Sequence, residues 1–521
     1  MMTQDMDNRK RILIIGAGLG GLFTGAILAH EGYQVTVLEK NTTIGGGLQT
    51  FTRFGELFDT GMHVIGGMRP EGNIRRICRY LGIEDELHIK DVDDDCTDLL
   101  YFAEDGARYA IASGREGFIK SLARYFPESE ADLRAYVEAI FRLTDEADLF
   151  HLRPSADYIP THSEEFAMAA DAFIARYIRH PRLRSVIAYM NPLYGGRADE
   201  TPAYIHAIIN VLYINGPSRF SGGSSRFADS LAEVIRRQGG EVITREGATH
   251  VEVVNREVCF VEGCSGRRYE ADYYISAIHP SALIAITTPG GLPKAYCNRL
   301  ESVPNAYSAF SLYIKLRPKS FPYINHSEYY MSRYDDIWQF GNPAKQWPLG
   351  FLFMTPPDDD QGPWASRALL TVPMLFDEVR QWENTRVGHR GIDYEAWKQA
   401  RQEQLLKLVD ELHPGFSGCI ESVNASSPLT IRDFYGVKEG SICGFSKDYH
   451  NLALTQLPVV TKVRNLLLTG QYNNLHGFCG VPLTAINTAE VLLGKNYVVN
   501  RINESIESQE YKNSHPSLCS D

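Results

Sequence analysis

Apolar and polar positions follow a strand–helix–strand pattern at the start of this chain. An apolar run at 11–15 leads into a glycine-rich turn, an apolar helix extends to His30, and a second apolar strand covers Gln34–Leu38. Elements in this order and at this short spacing predict a β-α-β unit with two parallel strands.

Between about 70 and 215 the apolar residues recur at steps of three and four, which is typical of amphipathic helices. The predicted helices are Asn73–Leu81, Arg115–Tyr125, Glu130–Leu149 and Phe166–Arg179. A further apolar run, Ala203–Ile214, contains His206 and Asn210 and is too short to span a bilayer, so we expect a buried helix there.

A second stretch of α/β character begins near residue 222. An amphipathic helix is predicted over Ser225–Gln238, and strand-like segments follow it. These segments are Glu241–Thr244, Ala248–Val254, Glu257–Glu262 and Tyr273–Ile278. We therefore expect the N-terminal domain to resume in this part of the chain.

From about 295 to 455 the pattern changes to alternating, aromatic-rich strands. They are predicted over Ala309–Leu316, Tyr329–Met331 and Leu369–Met374, and a charged helix, Tyr394–Leu412, interrupts them. A strand over Leu466–Thr469 and a helix over Val481–Leu493 then restore the α/β pattern. The residues after Asn500 are polar and predict a mobile tail.

These changes predict an α/β fold with two interleaved domains. Residues 1–70, 215–290 and 455–500 would form a Rossmann-like domain, and 71–214 with 291–454 an α+β substrate domain, followed by a polar tail at 501–521.

The turn after the first strand carries the spacing Gly16-x-Gly18-x-x-Gly21. Gly16 permits the tight turn, Gly18 lets a pyrophosphate approach the backbone, and Gly21 allows the helix to pack closely on the strand. Glu39 ends the second strand, where a carboxylate accepts both ribose hydroxyls and repels a 2′-phosphate. A glycine pattern alone is weak, but strand, helix, second strand and acid in register predict a dinucleotide site that disfavours NADP.

Three further features favour FAD over NAD. A second glycine run, Gly45–Gly47, follows Glu39 closely, the α/β pattern returns in mid-chain, and Thr469–Gln471 with Gly477–Gly480 precedes the last predicted helix. An extended FAD contacts several distant segments, which this layout supplies. Since no second GxGxxG is visible, we expect an external electron partner rather than a nicotinamide domain.

Composition narrows the class of protein further. The net charge of −12 disfavours nucleic acid, which needs a basic face. The nine cysteines include no CxxC pair, and no signal peptide is apparent. These two features predict a cytoplasmic protein. Peripheral contact with a membrane stays open. The acidic runs Asp93–Asp95 and Asp358–Asp360 are typical of solvated turns, and we expect no metal site.

In its glycine-rich segments the chain resembles the phytoene desaturase, carotenoid isomerase and retinol saturase group of FAD-dependent, amine-oxidase-like oxidoreductases. The resemblance is carried by Gly16–Phe51, within which Ile44–Phe51 matches the glycine loop of the group, by Phe58–Gly66 and by Asn465–Gln471. The resemblance implies a set of cofactor-binding residues: Gly16, Gly18, Leu19, Gly20, Gly21, Glu39, Lys40, Gly46, Gly47, Leu48, Val251, Gly470, Gln471 and Val481. Two positions depart from the group, because Gly47 stands where many relatives have arginine and Gln471 where an acid is frequent.

Two histidines are candidate catalytic residues. His63 follows a segment that returns towards the flavin in the group, and His476 precedes the C-terminal helix. For both, an ordinary loop histidine held by hydrogen bonds is the competing interpretation. The aromatic clusters 323–330 and 334–340 could line a tunnel for an apolar ligand, although sheet packing explains most of their members equally well.

The resemblance implies an FAD-dependent enzyme that reduces or desaturates carbon–carbon double bonds of a lipophilic polyene, similar to a retinoid or carotenoid. Two alternatives stay open: an amine oxidase or protoporphyrinogen-oxidase-like flavoenzyme, and a prenyl-binding escort protein without flavin catalysis. The intact glycines and Glu39 argue against the escort protein.

Overall fold

A computed structural model describes residues 9–156, 161–360, 362–452 and 456–514, with side chains described up to residue 506. The strands, numbered along the chain, are β1 (Arg11–Ile15), β2 (Gln34–Leu38), β3 (Thr50–Arg53), β4 (Glu56–Asp59), β5 (Ile89–Asp91), β6 (Asp98–Phe102), β7 (Ala107–Ile111), β8 (Ser218–Phe220), β9 (Glu241–Ile243), β10 (Ala248–Val254), β11 (Glu257–Gly263), β12 (Arg268–Tyr269), β13 (Tyr273–Ser276), β14 (Ser308–Leu316), β15 (Ser327–Met331), β16 (Gly350–Met354), β17 (Arg367–Met374), β18 (Ile420–Ser426) and β19 (Leu466–Leu468).

The α-helices are numbered in the same way. They are α1 (Leu19–His30), α2 (Asn73–Tyr80), α3 (Arg115–Ala123), α4 (Glu130–Asp145), α5 (Glu164–Ala167), α6 (Ala170–Tyr177), α7 (Pro181–Ile187), α8 (Ala203–Ile214), α9 (Ser225–Arg237), α10 (Pro280–Ile286), α11 (Lys294–Ser302), α12 (Ile392–Leu412), α13 (Pro428–Tyr435), α14 (Gly477–Leu493) and α15 (Tyr497–Ser514).

A five-stranded parallel sheet in the order β19-β13-β1-β2-β9 organises the first part of the fold. In the centre, Ile14 is paired with Val37 on one side and with Ile275 on the other. These strands are apolar over nearly their whole length because both faces of a parallel sheet are covered. The hydroxyls of Thr24 in α1 and Thr469 lie 2.8 Å apart and join the first helix to the last strand of the sheet.

A seven-stranded mixed sheet in the order β18-β14-β17-β16-β15-β6-β7 forms the second layer. One face packs on α12 through an apolar cluster that includes Phe310, Phe353 and Leu405. The opposite face carries Ser311, which is paired with Thr371 of the adjacent strand, and looks towards the first sheet. Side chains on that second face can therefore take part in a site between the layers.

Strands β5, β6 and β7 lie in a region whose pattern predicted helices alone. β6 pairs with β15, with Leu100 opposite Tyr329, and it thereby joins the N-terminal half to the second sheet. Its alternation of buried and half-buried residues extends over only five positions, which is too short to stand out from the helical pattern on either side. The predicted helix 166–179 is also divided, into α5 and α6.

Helix α8 is buried, as its apolar run predicted. Its His206 is fully enclosed, with Nε2 2.6 Å from the hydroxyl of Tyr136 and Nδ1 2.9 Å from that of Tyr194. The histidine and both tyrosines satisfy one another in the core, and His206 is therefore a structural residue.

The C-terminal helix α15 occupies much of the region for which a mobile tail was predicted. Val498, Val499 and Ile502 are buried against the body of the protein, which corrects that prediction for this part of the chain. The prediction failed because polar residues separate the buried ones, so that the narrow apolar stripe at helical spacing is not obvious in the sequence. Residues 515–521 of the predicted tail and residues 1–8 lie outside the described part of the chain.

Within the described ranges, no single helix combines the length and apolar character needed to cross a bilayer. One bent pair, Gly477–Leu493 with Tyr497–Ile506, meets those two criteria, and most of the first helix is buried in the fold.

Candidate functional site

A cavity of about 390 Å³ lies at the carboxyl ends of the parallel strands, where α/β sheets bind nucleotides. Most of the predicted cofactor residues line it: Gly16, Gly18, Leu19, Gly20, Glu39, Lys40, Gly46, Gly47, Leu48, Gly470, Gln471 and Val481. Val251 is buried within β10 and does not line this cavity, whereas Gly247 and Ala248 at the start of that strand do.

The three glycines of the first turn differ in their surroundings. Gly16 has φ of +102°, which side-chain-bearing residues rarely adopt. A Cβ atom on Gly21 would lie 2.0 Å from the carbonyl oxygen of Gly16, so this glycine permits the helix to pack on the turn and does not itself line the cavity. A Cβ on Gly18 would meet nothing within 4 Å, because it would project into the cavity.

The N-terminus of α1 opens onto the cavity. Its first intrahelical bond joins the amide of Leu22 to the carbonyl of Gly18 at 3.0 Å. Amides earlier in the helix have no intrahelical acceptor and, together with the helix dipole, they favour an anion such as a pyrophosphate.

Glu39 is held rigidly at the end of β2. One carboxylate oxygen accepts the amide of Ala17 at 3.0 Å and the other accepts the amide of Asn41 at 2.8 Å. The side chain is 6% exposed, and its remaining lone pairs face the cavity. Its position suits the ribose hydroxyls of an adenosine, and its charge disfavours a 2′-phosphate.

Helix α13, from the second layer, covers this end of the cavity. Lys40 donates to the carbonyl of Asp433 at 3.0 Å, and the side chain of Asn41 donates to the carbonyl of Phe434 at 2.8 Å. Burial lowers the pKa of Lys40. No cofactor-site residue was predicted in α13, because its place over the cavity depends on tertiary packing.

The residues present fit an FAD. Gly18, Gly47 and Gly477 all line the cavity, and a Cβ on any of them would occupy open space. Of the described residues around the cavity, Lys40 alone carries a cationic side chain, which agrees with the absence of an arginine at Gly47. Amides at helix N-termini therefore supply much of the positive potential for the phosphates.

A second cavity of about 180 Å³ adjoins the first. The two share six wall residues: Gly61, Met62, His63, Thr371, Ile442 and Gly477. The rest of its lining is mainly apolar and includes Ile209, Leu212, Met331, Leu352 and Phe478. No charged side chain of a described residue lines it, so it suits an apolar ligand.

His63 stands where the two cavities meet. Its Nδ1 is buried and has no hydrogen-bond partner among the described residues. Burial, and secondarily the nearby charge of Arg219, lowers the pKa of His63 to about 3. The imidazole is therefore neutral at physiological pH and cannot act as an acid in its charged form.

His476 lies in the second cavity at the N-cap of α14 and is 5% exposed. Its Nε2 donates to the carbonyl of Leu193 at 3.2 Å. Burial, followed by the charge of Lys447, lowers the pKa of His476 to about 4. The start of α14 at Gly477 directs a positive helix end to the junction of the cavities, where it can stabilise negative charge.

Polar groups that the sequence did not single out also line the second cavity. Tyr213 and the thiols of Cys443 and Cys479 face it, and burial raises the pKa of each thiol to about 12. Thr371 contributes a buried hydroxyl oxygen without a hydrogen bond among the described residues. None of these groups has the Cys–His or Ser–His arrangement of an activated nucleophile.

Most of the predicted aromatic tunnel residues are sheet core. Tyr330 stacks on Phe351 with ring centroids 4.8 Å apart, and Tyr334 stacks on Phe102 at 4.0 Å. Tyr329 is the member of these clusters that lines the second cavity.

The acidic runs make local contacts. Asp94 pairs with Arg69 and Asp359 with Arg226, each at 2.7 Å. No group of three or more metal-ligating side chains is found in the parts of the chain that the structure describes.

Comparison with known proteins adds independent findings. The family model described as flavin-containing amine oxidoreductase matches residues 19–493. The all-trans-retinol 13,14-reductase of Rattus norvegicus is 28% identical, over 93% of this chain and 86% of that protein. The 4,4′-diapophytoene desaturase (4,4′-diapolycopene-forming) of a Methylomonas species is 24% identical, over 78% of this chain and 79% of that protein. These matches confirm the resemblance.

Two solved structures share the fold. An oxidoreductase from Methanosarcina mazei superposes with a TM-score of 0.61 at 16% identity, over 92% of this chain and all of that one. Cyclohexylamine oxidase from Brevibacterium oxydans superposes with a TM-score of 0.59 at 15% identity, over 96% of this chain and all of that one. They confirm the predicted α/β fold class.

Proposed function

Because this chain belongs to the family of flavin-containing amine oxidoreductases, we propose that it reduces or desaturates carbon–carbon double bonds of a lipophilic polyene. It is an oxidoreductase, and its cofactor is FAD. Two relatives that match it over most of its length are named for retinol and for diapophytoene, which are both isoprenoid polyenes.

The observation that carries this proposal is the uncharged second cavity, which meets the cofactor cavity at His63 and Gly477. A polyene needs a narrow apolar space beside the flavin and few polar contacts. The lining residues supply that space.

When bound, FAD exchanges a hydride with a carbon atom held against its ring. The protein's contribution is to hold both molecules. The N-terminal end of α1 and Glu39 bind the phosphates and a ribose, and the N-terminus of α14 stabilises negative charge near the junction. His63 stays neutral and therefore adds no competing positive charge to the apolar side of the junction.

An amine substrate is less well served by this cavity. A protonated amine requires a counter-charge or a hydrogen-bonding cage when it leaves water. Since no described residue around the second cavity carries a carboxylate, such a charge would be unpaired there. If the chain were an escort protein without flavin, the glycines that line the cofactor cavity and the anchored Glu39 would have no cofactor to bind.

The cofactor-binding roles of the predicted residues, and the division into a discontinuous FAD domain and a substrate domain, belong to this proposal. The five-stranded sheet takes its strands from 11–38, 241–276 and 466–468, which supports the FAD domain bounds. Electrons would come from, or go to, an external partner.

The experiment is anaerobic titration of the purified flavoprotein. Enzyme reduced with dithionite is mixed with retinol or a carotenoid, and oxidised enzyme is mixed with the corresponding more saturated compound. Reoxidation of the flavin with loss of the long-wavelength absorption of the polyene supports saturation, and bleaching of oxidised enzyme supports desaturation. Rapid reduction by a primary or secondary amine, with no response to the polyene or to its more saturated counterpart, would replace the proposal with an amine oxidase.

A further inference from the structure

Tyr329 places a phenol in the wall of the second cavity. It lines this otherwise apolar space, is 2% exposed, and its hydroxyl makes no hydrogen bond with any described residue. A buried phenol normally has a partner, because leaving one unpaired costs free energy. A hydroxyl left free beside a ligand cavity is available to the ligand.

The sheet sets the direction of this side chain. Successive residues of β15 point to opposite faces, so Tyr329 and Met331 share the face that lines the cavity. Tyr330, between them, points to the other face, where its ring stacks on Phe351 and its hydroxyl donates to Glu411 at 3.2 Å.

The ring of Tyr329 packs against Tyr189, which is itself anchored by a buried acid. The ring of Tyr189 meets that of Tyr329 edge-on, with centroids 5.1 Å apart. The hydroxyl of Tyr189 donates to Asp98 at 3.0 Å, and Asp98, 1% exposed, also accepts the hydroxyl of Thr97 at 2.9 Å. These contacts fix the Tyr329 ring in the cavity wall.

We propose that Tyr329 is the proton donor of the reaction, and that the reaction therefore runs as saturation of a double bond. This inference rests on the proposed function. Reduction of one carbon–carbon double bond requires a hydride and a proton. Bound reduced flavin would supply the hydride with its electron pair, which forms one C–H bond as the π bond breaks. The O–H bond of Tyr329 then breaks and its proton forms the second C–H bond on the adjacent carbon. The tyrosinate regains its proton from water when the product leaves.

The surroundings of Tyr329 keep it protonated until a strongly basic, carbanion-like carbon forms beside it, because they make the phenol a weaker acid than usual. Burial and the nearby charge of Asp98 raise its pKa well above the ordinary value, so the phenol keeps its proton at neutral pH. A neutral phenol can protonate a carbanion-like carbon, but it cannot serve as the base that a desaturation needs.

Other polar groups of the cavity are less suited to this role. The hydroxyl of Tyr213 already donates to the carbonyl of Val64 at 3.0 Å, and the thiol of Cys443 points to the carbonyl of Leu193 at 3.5 Å. His476 also donates to Leu193. An alcohol such as Thr371 is a much weaker acid than a phenol.

The test uses Tyr329→Phe as the FAD-loaded full-length enzyme. We expect the rate at which a retinoid or carotenoid reoxidises the dithionite-reduced flavin to fall about 100-fold. The dissociation constant of the same polyene from the oxidised enzyme, read from the flavin spectrum, should change less than about threefold, because the ring that packs on the ligand is kept. In D₂O both new hydrogens come from solvent, because the N5 hydrogen of a dithionite-reduced flavin is itself a solvent hydrogen. The wild-type product should therefore carry two deuteriums with a fixed facial relationship, and the variant product should lose the facial preference at the carbon that Tyr329 protonates.

Tyr330→Phe is the matched control, since it removes a hydroxyl from the next residue on the opposite face of the strand. It should reoxidise at the wild-type rate. A wild-type rate and facial preference in Tyr329→Phe would overturn the assignment, as would weaker polyene binding with an unchanged maximal rate, which would make Tyr329 a binding residue. Failure of the wild-type enzyme to react with any polyene would instead overturn the proposed function.

Discussion

The carboxylate of Glu39 accepts the amide of Ala17 at 3.0 Å and so ties the end of β2 to the glycine turn after β1. The same side chain thus has two tasks, to shape the turn and to face the ribose. Since its other oxygen accepts the amide of Asn41, both oxygens are fixed before a cofactor arrives.

Replacement of Glu39 by alanine should therefore weaken both the fold and FAD binding. The buried amide of Ala17 and the half-buried amide of Asn41 lose their acceptor, which we expect to lower the free energy of unfolding by about 1–3 kcal/mol. Urea unfolding of the apoprotein measures the first effect, and the ratio of flavin to protein absorbance the second. Glu241→Ala, at an exposed position in β9, is the control and should match the wild type in both.

Gly18→Val and Gly21→Ala should fail in different ways. At Gly18 the added atoms enter the open cavity, so the apoprotein should keep its stability to within about 1 kcal/mol while FAD is excluded. At Gly21 the new Cβ would collide with the carbonyl oxygen of Gly16, so the apoprotein itself should lose about 3 kcal/mol. Equal apoprotein stability of the two variants, measured by urea unfolding, would contradict this assignment of the glycines.

The flavin half-reaction should show no ionisation near pH 6.5 from the two site histidines. Burial lowers the pKa of His63 to about 3 and that of His476 to about 4, so both are neutral throughout the usual range. The rate of flavin reoxidation by a polyene should depend on pH in the same way in His63→Asn and in the wild type, as measured from about pH 5 to 8. An inflection near neutrality that disappears in the variant would show that His63 titrates in the reaction.

Glu328 should stabilise the protein in a manner that depends on acid pH. It is 3% exposed and accepts hydrogen bonds from His413 and, at 3.3 Å, from His326. The two histidines outweigh the opposing effect of burial and lower the pKa of Glu328 to about 2. A carboxylate with a depressed pKa stabilises the folded state above its unfolded pKa, near 4.5, and loses that contribution as pH falls towards 2. The stability difference between wild type and Glu328→Gln should therefore be largest above about pH 5 and narrow steadily below it, as thermal unfolding at several pH values would reveal.

The C-terminal helix should contribute to stability. Ile502 is fully buried where α15 packs against the body of the protein, so Ile502→Ala should cost about 2–5 kcal/mol. Glu504→Ala, on the exposed side of the same helix, should change the free energy of unfolding by less than about 0.5 kcal/mol. Similar unfolding curves for the two variants would mean that the helix is not part of the cooperative unit.

The sequence predicted the N-terminal unit almost residue by residue. The bounds of β1, α1 and β2 agree with those predicted from the apolar runs and from the positions of Gly16 and Glu39. The prediction succeeds because a phosphate-binding motif constrains the turn, the helix and the strand together. Of the twelve predicted cofactor residues that line the cavity, those of the first turn and Glu39 follow from this motif, and the others were expected from the family resemblance and the later glycine segments.

The apolar side of the site was much less predictable. Tyr213, Tyr329 and Thr371 come from three distant elements, and each alternates with its neighbours in a way that also suits an ordinary core. Tyr329 and Thr371 meet because β16 pairs with both β15 and β17, a tertiary arrangement that no local pattern reveals. The role of α13 likewise depends on a tertiary contact with Lys40 that no local pattern records.

The distance along the chain between Lys40 and α13 has a consequence for how the protein is made. During translation the glycine turn and Glu39 leave the ribosome early, but α13 follows almost 400 residues later and β19 later still. The nascent chain thus contains the glycine turn and Glu39 long before the residues that complete the wall of the nucleotide cavity are synthesised. Stable capture of the cofactor should be among the last events of biosynthesis, and a cell short of riboflavin should accumulate full-length apoprotein rather than truncated chains.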